Sequence, residues 1–214
     1  VNDAPVAVSD PATTAEDTPI VLNLVANDTD VDSATLSVVA LTAPLHGSAV
    51  LNADGSVTYT PAPNYNGSDS FTYTVSDDHG LHDTGTVSLI VLPVNDPPSL
   101  DPIAAQTVDE GSGLRFAVSA SDVEHDALTY SLDVAPADAT IDASTGLFSW
   151  LATDGPATVP VTVRVTDTDG AFATTSFDIT VRNVAPTLTI AGAGRVTQGQ
   201  PYTLYLAAAD PGRD

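Results

Sequence analysis

The chain has 214 residues, 43% of them hydrophobic, and carries a formal net charge of -23 from 28 acids against 5 bases. That length suits one or two domains with packed cores, and that charge is repelled by nucleic acid phosphates and by anionic membrane surfaces. Cysteine is absent and every base is Arg, which excludes disulfides, thiolate zinc sites, cysteine nucleophiles and lysine crosslinks.

No apolar run approaches the ~18 residues of a membrane span, and no targeting segment is visible. The sequence begins at Val1 and contains no Met, so it reads as an excised piece of a longer protein. Along the chain, "PIVLNLVA", "TLSVVAL", "GSAVLNADGSVTYTP", "DSFTYTVSD" and "TGTVSLIVLPV" alternate apolar and polar residues at period two, the mark of half-buried strands. Asp54–Gly55 is a hairpin signal inside the third of these, and "DASTG" at Asp142–Gly146 takes the same part further on. Nothing reads as a helix of useful length. Short strands with closely spaced turns predict all-β sandwiches.

The chain also repeats. "VNDAP" at Val1–Pro5 recurs as "VNDPP" at Val94–Pro98 and "RNVAP" at Arg182–Pro186. "ANDTDVD" at Ala26–Asp32 stands beside "ASDVEHD" at Ala120–Asp126 and "AADPGRD" at Ala208–Asp214, and "VSDDHG" at Val75–Gly80 beside "VTDTDG" at Val165–Gly170. The spacing is roughly ninety residues, close to one immunoglobulin-like sandwich of about seven strands. The pattern predicts one domain over 1–95, a second over 96–184, and the first two strands of a third over 185–214, expected to fray or to pack on the second domain.

The acids fall at the ends of this plan. Antiparallel tracing puts the turn after the first strand at one pole, with Glu16 or Glu110. The opposite pole receives the loop after the second strand and the loop before the last. In the first domain that pole collects Asn2, Asp3, Asp28, Asp30, Asp32, Asp77 and Asp78. In the second it collects Asn95, Asp96, Asp122, Glu124, Asp126, Asp167 and Asp169, which the tracing expects to meet Glu16, with Asp69 a further candidate. A weaker set at the second junction comprises Glu110, Asn183, Asp210 and Asp214, because Gln198, Val184 and Gly212 stand where acids stand in the earlier units. Two unit charges ~4 Å apart repel by about 1 kcal/mol in water and ~4 at an effective dielectric of 20. Hard oxygen ligands of this kind are what Ca²⁺ takes six to eight at a time, and a bound cation offsets the repulsion.

With these residues in view, the chain resembles the cadherins in its calcium framework: an Asn-Asp-x-Pro linker, a Glu after the first strand, an Asp-x-Asp loop and an Asp before the last strand. The first unit is similar to the cadherin-like tandem repeats of large secreted bacterial adhesins, the VCBS-like group, and the second to dystroglycan-type cadherin-like and immunoglobulin-like repeats. The resemblance implies an extracellular, monomeric, non-enzymatic module whose partners are its neighbouring repeats and whose joints Ca²⁺ stiffens. A second class of function is an accessory module of a secreted hydrolase that touches polysaccharide; an exposed aromatic stripe would favour it, and polar strand faces with all aromatics buried would favour the first.

Blander readings compete with each motif. Acidic loops are commonly solvated turns, since Asp suits turns for local hydrogen-bonding reasons. His79 and His82 read as turn residues rather than zinc ligands, having no equivalent in the second unit. Trp150, Tyr59, Tyr73 and Tyr130 sit at alternating strand positions that suit a core. Tyr65 and Asn66 belong to a corner. No nucleophile elbow and no phosphate-cradling loop is present.

Overall fold

In the computed structural model the chain divides into two compact units, Val1–Val94 and Asn95–Asp214. The structure describes residues 1–192, 198, 199, 201 and 203–211. Each unit is built from strands, and the only helix among the described residues is a 3₁₀ turn over Leu24–Ala26.

The first unit contains β1 (Asp10–Ala15), β2 (Ile20–Leu22), β3 (Ser37–Leu41), β4 (Gly47–Leu51), β5 (Val57–Pro61), β6 (Gly67–Ser76) and β7 (His82–Leu92). One sheet has the order β1-β7-β6-β3 and the other β2-β5-β4; β1 runs parallel to β7 and the remaining pairs are antiparallel. The alternation expected from the sequence sends Phe71, Tyr73 and Val75 of β6 and Val87, Leu89 and Val91 of β7 to one side. There they meet Leu24, Val57 and Tyr59 to form one core. Burying each such side chain contributes about 1.5–3 kcal/mol. The strand expected over "PIVLNLVA" is shorter than its alternation suggests. It stops at Leu22, and the 3₁₀ turn lets buried Leu24 offer its carbonyl to the Tyr73 hydroxyl at 3.4 Å.

The opposite side of β6 and β7 is a face of hydroxyls. Thr74 lies opposite Thr84, Thr72 opposite Thr86, and Ser70 opposite Ser88. In this unit the acids lie mostly outside the strands, in the loops and turns.

The second unit repeats the plan with β8 (Ser99–Leu100), β9 (Gln106–Asp109), β10 (Gly113–Ala117), β11 (Ala120–Ser121), β12 (Thr129–Val134), β13 (Thr140–Ile141), β14 (Leu147–Leu151), β15 (Ala157–Thr166) and β16 (Phe172–Arg182). Its sheets are β12-β15-β16-β9, β10-β14-β13 and the short pair β11-β8, and β9 is parallel to β16 as β1 is to β7. Phe116, Phe148 and Phe177 form an aromatic knot at its centre. Trp150 is buried, and its indole N–H donates to the Ala137 carbonyl at 3.1 Å. Beyond it, β17 (Thr187–Gly192) and β18 (Leu204–Ala209) pair with each other as a separate two-stranded sheet, with every strand residue exposed.

Tyr73 shows how the first unit is locked. Its ring lies over Gly85, its partner across the β6–β7 ladder, where a Cβ would come within 2.4 Å of the ring. Its hydroxyl reaches Asp28 at 2.9 Å and the Val8 carbonyl at 3.0 Å. Burial pushes the phenol's pKa up, and the neighbouring carboxylates push it further the same way. One hydroxyl has one proton to give, while Asp10 also lies close and its Oδ2 is buried without a partner. Burial therefore raises the Asp10 pKa, the Tyr73 hydrogen bond opposes that, and the Asp28 charge adds to it.

Two outcomes follow from this packing. Gly85→Ala forces the added methyl into Tyr73 and should destabilise the first unit by about 1–3 kcal/mol, read as a lower denaturation midpoint. Asp10→Asn should raise the midpoint at neutral pH, because a carboxyl with a raised pKa penalises the fold once it ionises. The gain should shrink as pH falls and Asp10 takes up its own proton. A midpoint difference that is flat with pH would contradict the assignment.

Candidate functional site

The acids of the first pole are ordered by backbone N–H groups. Asp30 Oδ1 accepts from the N–H groups of Asp32 at 2.9 Å and Ser33 at 2.7 Å, a turn closed on its own side chain. Asp77 Oδ1 does the same for His79 at 3.0 Å and Leu81 at 2.7 Å. The chain start is tied to both loops. The Asn2 amide donates to Asp77 Oδ2 at 2.6 Å, and the Asp3 N–H approaches the Asp32 carboxylate at 3.3 Å.

The second unit repeats the arrangement with small differences in which N–H groups are taken. Asp122 Oδ1 accepts from Glu124 N at 3.0 Å and Asp126 N at 3.1 Å. Asp167 Oδ1 accepts from Asp169, Gly170 and Ala171 at 2.9, 2.7 and 2.9 Å. The Asn95 amide donates to Asp167 Oδ2 at 2.8 Å, and Asp96 N points to Glu124 Oε2 at 3.4 Å.

These bonds correct the alignment of the two loops. Matching "ANDTDVD" to "ASDVEHD" sets Asp28 against Asp122, whereas the hydrogen bonds set Asp30 against Asp122 and Asp32 against Glu124. The true register lies two residues along. Asp28 then has Ala120 as its counterpart, and its carboxylate is engaged with the Val8 N–H at 2.8 Å and with Tyr73. Asp126 corresponds to Ala34 and contributes its N–H to the Asp122 turn. Asp78 is exposed and bonded to the Ser33 hydroxyl and the His79 ring, each at 2.7 Å. Asp169 is exposed and enters the pole through its N–H.

Four oxygens of these loops are left over, two in each unit at equivalent positions. Asn2 Oδ1 and Asp30 Oδ2 in the first unit, and Asn95 Oδ1 and Asp122 Oδ2 in the second, are buried and accept no hydrogen bond. An orphaned buried acceptor costs about 1–3 kcal/mol. Its recurrence at equivalent positions is the observation that a site must explain. Among the described residues no group of three or more His, Asp or Glu side chains converges as a ready metal site. The recurring set instead consists, in each unit, of one Asp carboxylate oxygen and one Asn carbonyl oxygen, hard donors that fit Ca²⁺.

At the other pole each unit buries a glutamate. Glu16, 3% exposed, takes the Val94 N–H on Oε1 and leaves Oε2 buried without a partner. Glu110, 1% exposed, takes the Val184 N–H at 2.7 Å. Asp69 is no ligand in this arrangement, because its carboxylate is filled by the N–H groups of Leu45, His46 and Ser70 and by the Tyr59 hydroxyl. Asn183 and Asp210 are exposed, and Asp214 and Gly212 lie outside the described residues.

Electrostatics separate the pole aspartates. Burial pushes the Asp77 pKa up, but the Asn2 amide and the N–H groups of Leu81, His79 and Gly80 outweigh it and hold it below the ordinary range. The Asn95 amide holds Asp167 down against burial, helped by Gly170, Ala171 and Asp169.

Comparison with known proteins matches residues 2–90 to the family described as "Bacterial Ig domain" and residues 97–182 to that described as "Putative Ig domain". Chitinase A of Pseudoalteromonas piscicida is 32% identical over 169 residues, covering 77% of this chain and 20% of its own length. The chain thus spans a fifth of that relative. Among solved structures, human CDH23 EC21-23 superposes with a TM-score of 0.56 at 18% identity, over 99% of this chain and 81% of that one. The protocadherin GammaB4 extracellular domain gives 0.51 at 18% identity, over 99% of this chain and 39% of that one. Each of the two units thus matches an immunoglobulin-like family model, and the chain has the β-sandwich fold of the cadherin ectodomains on which it superposes.

Proposed function

We propose that the chain is a calcium-binding repeat module of an extracellular or cell-surface protein. The observation that supports this most is the recurrence, in the acidic loops and entry segment of both units, of one buried Asn oxygen and one buried Asp oxygen that accept no hydrogen bond. Asn2, Asp30, Asp32 and Asp77 would hold a cation in the first unit, and Asn95, Asp122, Glu124 and Asp167 in the second. The cation supplies positive charge to oxygens that the protein leaves without donors. The protein's part is to build the cradle beforehand, with backbone N–H groups fixing Oδ1 of Asp30 and Asp122 while Oδ2 of each takes no donor.

The mechanical consequence lies in the linker. Val94 is held by Glu16 of the first unit, and the next residue, Asn95, by Asp167 of the second. A cation on Asn95 would add to the second of these ties, so calcium would limit the swing of a connection already stiffened by Pro93, Pro97 and Pro98. In a long array of such units the result is a stiffer stalk, suited to projecting an adhesive domain. Calcium at ~100-fold over its dissociation constant would stabilise each site by about 2.7 kcal/mol. The module itself is proposed to be non-catalytic.

A second reading is favoured by one observation, the likeness of most of this chain to a fifth of Chitinase A. In that reading the same tandem serves as an accessory segment of a secreted hydrolase. The two readings share the pole chemistry and differ in what the rest of the parent protein does.

Asp122→Ala should weaken calcium binding at the second unit by about tenfold or more, since it removes a charged ligand, and leave far-UV circular dichroism unchanged. Unchanged affinity would remove Asp122 from the site. Because Asp77 and Asp167 are held below the ordinary carboxylate range, protons should displace calcium at these groups only below about pH 4. Loss of binding near pH 6 in a calcium titration series would point to other ligands.

A further inference from the structure

The first unit carries an open groove of about 610 Å³, far from its acidic pole residues in sequence and lined by none of them. Its walls include Leu45, His46, Ser70, Ser88, Pro11 and Ile90. We propose that this groove binds a chain of uncharged polysaccharide, independently of any cation.

The chemistry of the lining is what such a polymer presents in complement. A neutral sugar ring has apolar C–H faces and a rim of hydroxyls. Leu45 and Ile90 offer apolar contact and are 83% and 56% exposed. The His46 ring is held flat by stacking on Tyr65, with centroids 4.1 Å apart and planes 3° from parallel, so a planar ring is ready before binding. Ser70 and Ser88, facing each other across β6 and β7, supply hydroxyls that exchange water for sugar hydroxyls at little cost.

Charge selects the partner class. The chain as a whole carries -23 and repels acidic polymers. A basic polymer finds no charge to pair with in the groove. The single acid there, Asp69, is 8% exposed and its carboxylate is consumed by the four donors named above. A neutral chain is the polymer that neither meets repulsion nor strands a charge. The volume lies within the ~300–1,000 Å³ usual for ligand clefts, and weak contacts of this kind gain strength when repeats act together.

The test is retention of the full chain on particulate chitin and on cellulose, two uncharged insoluble polysaccharides, in buffer containing a chelator. The unaltered protein should be retained on at least one. Ser88→Asp and Ile90→Asp, both outward and exposed, should each lower retention by about tenfold or more by burying an unpaired charge, with the melting temperature unmoved. Thr60→Asp, exposed on the other sheet, should retain fully. For the unaltered protein, titration with soluble N-acetylglucosamine hexamer should move the His46 ring resonances saturably. Absence of retention on both solids, retention that survives both groove substitutions, retention that requires calcium, or an unmoved His46 would each overturn the proposal.

Discussion

The hydrogen bond from an asparagine amide to a buried aspartate organises each unit. Asn2 to Asp77 and Asn95 to Asp167 tie the incoming chain to the loop before the last strand. An Asn side chain has a donor end and an acceptor end, so committing the donor to Asp77 or Asp167 fixes where the acceptor must point. In both units that acceptor is buried without a donor, and so is Oδ2 of Asp30 or Asp122. These oxygens accept from no group of the protein, and this is why the poles, rather than the sheets, carry the functional reading.

The surrounding architecture serves that constraint. Parallel pairing of β1 with β7, and of β9 with β16, brings the strand before each buried glutamate alongside the strand that leads out of the sandwich. That glutamate can then reach the backbone leaving the unit. Glu16 and Glu110 therefore hold the exit as Asn2 and Asn95 hold the entrance. Between the poles the sandwich is an ordinary alternating core, and its tightest point is the approach of Tyr73 to Gly85.

Much of this was legible in the sequence because its signals are local. Period-two alternation in "DSFTYTVSD" fixes which side of β6 is buried, and Phe71, Tyr73 and Val75 are buried as it requires. The repeat landmarks located both poles. The loop register was not legible, because "DTDVD" offers an Asp at every second position and two alignments fit equally well by identity. The turns closed on Asp30 and Asp122, with the approaches of Asp3 to Asp32 and of Asp96 to Glu124, choose between them. Asp69 looked like a ligand because sequence cannot show that four donors from distant residues already fill it. His46 gave no signal, since its stacking on Tyr65 depends on how the loop before β4 folds against the corner before β6.

The account stands most directly on the two asparagine oxygens. Two-dimensional ¹H–¹⁵N spectra of the chelator-stripped protein, recorded as calcium is added, would follow the side-chain amides of Asn2 and Asn95 individually. Saturable shifts of both, accompanied by the Asp30 and Asp122 turns and absent from the strands of the sheets, are the predicted result. Amides that stay still while calcium is raised well past millimolar would contradict it, and would leave the paired orphan oxygens of the two poles as sites for water alone.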